Sequence, residues 1–166
     1  MTDKEHLALR IRAGFHQKPS NLVWRNYDPS QEGWEETAYF RRKDWSDLAL
    51  ADFNSHPYCF SFFDIRAFPF FWGAMMYISL SEENWECRAQ ENFLIMWEAL
   101  DAEPTRVHSD SDYELVEKLA VNLGQVLTGL RIDIIEEYFD FRRSAGVLHD
   151  EEATRSFVAS LRGPLQ

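Results

Sequence analysis

Apolar residues fall along this chain in stripes at helical spacing, broken by polar tracts and interrupted once by a segment that is apolar on nearly every side. Leu7, Ala8, Ile11 and Phe15 follow a Thr2/Asp3 start and stop ahead of Pro19, which predicts an amphipathic first helix. From Ser20 to Glu32 the pattern is that of an extended segment closing in a turn, because Pro29 turns Asp28 away from helix; a short strand fits there. Glu35 to Phe40 predicts a short helix, and Asp44 is placed to cap another that begins at Trp45 and ends near Asn54. His56-Pro57 then breaks the chain.

The run from Pro57 to Leu80 is the densest apolar stretch, and a helix apolar all round is stable only when other elements surround it. Pro69 suits a first helical turn, so the central helix is expected from Phe68 or Pro69 to about Leu80. With Ser81 and Asn84 as caps, a helix from Trp85 would bury Trp85, Ala89, Phe93, Met96, Trp97 and Leu100, and turn Arg88, Glu91, Asn92 and Glu98 outward. The tract Asp101 to Ser111 reads as a loop, Asp112 as the cap of a helix through Leu123, and Gly124 as its end. Thr128 is placed to cap a helix from Gly129 to Arg143, whose apolar face holds Leu130, Ile134, Ile135, Tyr138, Phe139 and Phe141. Asp133, Glu136, Glu137 and Asp140 take its other face, and Arg131 intrudes on the apolar one, where it needs an acceptor or a route to water. Asp150 caps a last helix carrying Ala153, Phe157, Val158 and Leu161 up to Gly163-Pro164. The expectation is one compact, mostly α-helical domain over residues 1–166. Six or seven helices should surround the central apolar one, with at most a short β-hairpin from the Leu22 and Tyr58 regions.

Charge sharpens this picture. A formal net charge of −11 over 166 residues repels phosphate backbones and acidic bilayers and attracts basic partners, which disfavours nucleic acid and membrane surfaces. Acidity also keeps a chain with 13 Phe and 6 Trp in solution, the plainer explanation of the same number. Cys59 and Cys87 have no C-x-x-C spacing and sit in apolar or helical contexts, as in a reducing cytoplasm. The first residues have neither the basic start nor the apolar centre of a secretory signal, and Asp64, Arg66 and Pro69 interrupt the one long apolar run.

Chemistry-bearing patterns are sparse. The alternating carboxylates of His108 to Glu114 lack the glycine and the final glutamate of a calcium loop, and no histidine follows the glutamates of 133–140 as a di-iron helix requires, so no metal is expected. His6, His16, His56, His108 and His149 are scattered near element ends, and neither a G-x-S-x-G turn nor a glycine-rich phosphate loop is present; no cofactor and no catalytic residue is expected. Arg41, Arg42, Lys43 and Asp44 form a basic knot able to bind an anion or to sit against the acidic helix face; structural pairing that orders a loop is the favoured reading. Asp64 and Arg66 lie between the aromatic runs and, with Arg131, are candidates for a buried polar network lining a pocket.

The order Ala13-Gly14-Phe15, Phe40-Arg41-Arg42-Lys43-Asp44-Trp45, Ala67-Phe68-Pro69-Phe70-Phe71-Trp72 and Leu127-Thr128-Gly129-Leu130-Arg131 resembles a family of small uncharacterised bacterial proteins classed as a domain of unknown function. The family pattern there is an Ala-x-x-Phe-like helix end, F-R-G-K-x-W, A-F-R-Y-F-L-P-A-Y and L-T-x-x-Q. This chain departs from it at Arg42 for Gly, at Arg131 for Gln and in the position of the proline. The resemblance implies no activity and carries no catalytic residue. Two functions follow from the residues themselves. The first is a non-enzymatic cytoplasmic binding protein, of the immunity type, that covers a basic toxin or effector through Asp133, Glu136, Glu137 and Asp140, with Trp24 and Trp34 as aromatic anchors. The second is a small-molecule binding protein or enzyme with an aromatic pocket containing Asp64, Arg66 and Arg131.

Overall fold

The computed structural model describes residues 1–18, 32–82, 85–102, 122–147 and 151–163, without the side chains of 32 and 99–102. Among these residues all regular structure is helical. The chain divides into two compact units, Met1–Phe93 and Leu94–Gln166.

In the first unit, α1 (Asp3–Phe15) opens on the predicted cap: Thr2 Oγ1 accepts from Glu5 N–H at 3.2 Å, and the Glu5 carboxylate accepts from Thr2 N–H at 2.7 Å. Leu7, Ile11 and Phe15 are buried, as their spacing requires. The next helix, α2 (Glu32–Ala38), lies earlier than predicted, and Tyr39 and Phe40 fall in the turn that follows. The single helix expected from Trp45 to Asn54 is two. Asp44 caps one 3-10 turn, Trp45–Asp47; Leu48 and Ala49 are extended; then α3 (Leu50–Ser55) begins, with Asp52 Oδ2 accepting from Ala49 N–H at 2.7 Å. The apolar pattern runs through the break, but Asp47 and Asp52 each cap backward and so begin two helices instead of one.

Two further helices build the core, α4 (Cys59–Phe62) and α5 (Phe68–Ser79). Tyr58, expected beside a strand, is the residue just ahead of α4; Leu22, the other half of that expectation, lies outside the described residues. Pro69 sits in the first turn of α5, and every residue from Phe68 to Met76 is buried. Two groups of rings pack on this helix. Phe40 meets Phe53, Phe63 and Phe71 at centroid distances of 5.3, 5.2 and 5.4 Å. Trp72 meets Phe60, Phe68 and Phe93 at 4.9, 5.3 and 5.4 Å. Edge-to-face and offset pairs of this kind add about 0.5–1.5 kcal/mol each beyond the area they bury, so this is where the first unit's stability concentrates.

The crossing of α1 on α5 depends on Gly73. A Cβ added there would stand 2.2 Å from Phe15 Cβ and 2.9 Å from Trp45 Cζ2, so only glycine lets the two backbones come this close. The following helix, α6 (Arg88–Ala102), starts three residues after the predicted Trp85 because its cap comes from a distant residue. Asn54 Oδ1 accepts from Arg88 N–H at 2.8 Å, while its Nδ2 donates to Glu86 O at 3.1 Å.

In the second unit, residues 122–126 are helical, so Gly124 lies inside a helix and does not end it. Then come α7 (Leu130–Ser144) and α8 (Glu151–Arg162), which pack on each other. The cap of α7 is Gly129, not Thr128; its φ of 49° and ψ of −113° suit glycine and leave Thr128 without a capping bond. Trp97 joins this unit by stacking edge-on to Phe157 at 5.1 Å and donating Nε1–H to Ser160 Oγ at 3.1 Å. Among the described residues no helix is long and apolar enough to cross a membrane.

Candidate functional site

The most chemically varied surface of the first unit lies where α1 ends. His16 closes α1, and its Nε2–H donates to Asp44 Oδ1 at 3.0 Å across 28 residues of sequence. The same Asp44 oxygen accepts from Trp45 N–H at 2.7 Å, and these two donors, His16 first, hold the Asp44 carboxyl below its ordinary range. Trp45 is buried, with Nε1–H donating to Phe70 O at 3.0 Å and its ring 4.7 Å from His16 and 5.4 Å from Tyr77. Arg12, one helical turn before His16, and Ser46 complete a cleft of about 360 Å³. Sequence reasoning placed His16 among scattered histidines; the one signal available was its position at a helix end.

Two cations of the basic knot lie over aromatic rings. The Arg41 guanidinium lies 4.1 Å over the Trp34 ring, and Lys43 Nζ lies 4.8 Å over Tyr39. Tyr39 in turn donates to Asp52 at 2.7 Å, a bond that raises its phenol pKa. Arg42 has a φ of 63°, in the left-handed region that residues other than glycine rarely adopt. Trp34 is therefore half-buried beneath an arginine, while Trp24 lies outside the described residues.

Arg66 is not buried. It is exposed and forks onto Asp64, with Nε at 2.9 Å from Oδ1 and Nη2 at 3.3 Å from Oδ2, and this pairing raises its pKa. The pair is a local clasp at the turn before α5, because Asp64 Oδ1 also accepts from Arg66 N–H. Arg131 belongs to the other unit. It is half-buried and donates to Val126 O at 2.8 Å, the acceptor its position called for, and burial lowers its pKa. No family model, curated protein or solved structure matches this chain.

Among the described residues of the second unit the deeply buried cation is Arg142, only 3% exposed. It donates to Tyr138 Oη at 3.4 Å and to Val147 O at 3.3 Å. The predicted apolar face of α7 is turned slightly from the real one: Ile132 and Arg142 are buried, whereas Leu130 is exposed and Phe141 half-exposed. On the outer face, Asp133, Glu136 and Asp140 are exposed and Glu137 is half-buried. The first three meet arginines of their own chain. Arg162 of α8 bridges Asp133 and Glu136, which raise its pKa, and Arg143 pairs with Asp140 and, at 3.7 Å, with Glu151. These pairs rim a groove of about 400 Å³ floored by Phe139 and Val158. The stripe is thus a mixed-charge surface in place of the bare acidic one its sequence suggests.

Cys59 and Cys87 are both buried with free thiols, and burial, together with nearby Cys87, pushes the Cys59 thiol well above its usual pKa. Such a thiol is not a nucleophile at neutral pH. Among the described residues no three His, Cys, Asp or Glu side chains gather as a metal site; His108 and the alternating carboxylates around it lie outside them.

Proposed function

We propose that this protein is a non-enzymatic cytoplasmic binding protein for a basic protein partner, acting as an immunity-type inhibitor that covers a basic toxin or effector. The observation that carries this reading is charge: −11 overall, with residues 98–117 holding seven carboxylates against one arginine. A field of that sign accelerates encounter with a cationic surface and turns away nucleic acid and anionic lipid. The α7 carboxylates support it in a specific way. Asp133, Glu136 and Asp140 keep half or more of their side-chain surface in water, at 54%, 51% and 62%, although each faces an arginine. Exposed pairs of this kind contribute about 0–1 kcal/mol, so a partner's lysine or arginine replaces Arg162 or Arg143 at little cost. The two free cysteines suit a reducing compartment. The test is the association rate of the purified partner with the wild type and with a triple variant, Asp133→Lys, Glu136→Lys and Asp140→Lys, across ionic strength. Slower association and a flatter salt dependence are expected; an unchanged rate at every ionic strength overturns the assignment of these residues.

A further inference from the structure

We infer that the cleft at the C-terminal end of α1 is a binding site for a small aromatic carboxylate. Its volume of about 360 Å³ suits a molecule of one ring or a fused pair. Its walls are fixed before any ligand arrives. Trp45 is pinned by its bond to Phe70 O, and His16 by Asp44 and by the rings of Trp45 and Phe70. Tyr77 and Trp45, 5.4 Å apart and inclined at 38°, give the cleft an apolar side, most of it from Tyr77 because Trp45 is only 7% exposed.

Charge then selects the ligand. Asp44 stays ionised, but its Oδ1 accepts from His16 and from Trp45 N–H, which lessens its repulsion of an anion and leaves Arg12 to outweigh the rest. Arg12 is exposed on the last turn of α1, one turn from His16, so both side chains lie on the same helix face. Elsewhere Arg66, Arg143, Arg155 and Arg162 are each held by a carboxylate of this chain. Arg12 has no such partner among the described residues, and its planar fork matches a carboxylate in two parallel hydrogen bonds. A simple inorganic anion would leave the ring wall unused, and a neutral arene would leave Arg12 unused; a carboxylate attached to a ring uses both. This reading is independent of the basic partner, since its residues all lie in the first unit.

The experiment is a titration of the full chain with indole-3-carboxylate and benzoate, with benzamide as the uncharged control, followed by the His16 ring and Trp45 indole N–H resonances. Saturable shifts at both reporters in the millimolar range are expected, with benzamide and the Arg12→Gln variant each about tenfold weaker, as for loss of a charge-assisted hydrogen bond. Arg12 is exposed, so its variant keeps the fold, and the unliganded spectrum checks this directly. No saturable shift at His16 or Trp45, or equal binding by benzamide or by Arg12→Gln, overturns the inference.

Discussion

Gly73→Ala tests the packing on which the first unit is built. By helix propensity alone the change stabilises, since alanine in a helix interior is better than glycine by about 1 kcal/mol. The structure reverses the sign. The added methyl would sit 2.2 Å from Phe15 Cβ and 2.8 Å from Phe15 Cγ, with Trp45 Cζ2 at 2.9 Å. A Cβ is fixed to its backbone and cannot rotate away, so α1 itself must move off α5. Overpacking of a well-filled core costs about 1–3 kcal/mol, and a clash against a helix's own Cβ belongs at the upper end. Set against the propensity gain, the net loss is about 2 kcal/mol. For a chain of this size that lowers the melting temperature by roughly 4–8 °C. The assay is urea unfolding followed by tryptophan fluorescence for wild type, Gly73→Ala, Phe15→Ala and the double variant. Phe15→Ala alone loses about 3–5 kcal/mol, and because alanine at position 15 keeps the clashing Cβ, Gly73→Ala should still destabilise in that background, by less than in the wild type since the contact with Phe15 Cγ is gone. A Gly73→Ala protein as stable as wild type, or a cycle without coupling to Phe15, refutes the close approach of α1 and α5.

Other consequences are smaller but as definite. Asn54→Ala removes both bonds that begin α6 and should cost about 1–2 kcal/mol, with faster hydrogen exchange at the Arg88 amide; unchanged exchange there denies Asn54 its capping role. Arg42→Gly should stabilise by roughly 0.5–1 kcal/mol in thermal unfolding, because it relieves a left-handed conformation at φ 63°, and a loss would mean that the Arg42 side chain matters more than its backbone. Asp44 is an acid-side prediction: its folded pKa lies below the ordinary 3.8, so its stabilisation is complete above that value and is lost as pH falls through the lower one. Being well exposed, it contributes modestly, and Asp44→Asn should remove that part of the acid dependence of unfolding. The Cys59 thiol should react with a disulfide reagent only as fast as its surroundings open, and immediate reaction in the native protein contradicts its burial.

Where local chemistry decides structure, the sequence was a sufficient guide. The Thr2/Asp3 start and Pro69 placed the starts of α1 and α5 correctly, because cap and helix lie within one turn of each other. It failed where the deciding group is distant or where two local signals compete. The start of α6 is set by Asn54, 34 residues earlier, and the break at Leu48-Ala49 by two aspartates capping in succession through an unbroken apolar pattern. On α7, Arg131 and Arg142 are three turns apart and so share a meridian, at about 100° per residue. Only packing shows that Arg142 is the more deeply buried. The acidic stripe was legible as a stripe, but its arginine partner from α8 is 26 to 29 residues away and leaves no trace in local pattern. Arg66 looked buried because its neighbours are aromatic, yet its bond to Asp64 two residues back holds it at the surface.

The most direct test of the functional account is affinity capture from the source cells at low and moderate salt, with the bound protein identified by mass spectrometry. The account predicts one basic protein, recovered in stoichiometric amount and weakened by added salt. Recovery of a neutral or acidic protein whose binding is indifferent to salt, or of no protein at all, contradicts it.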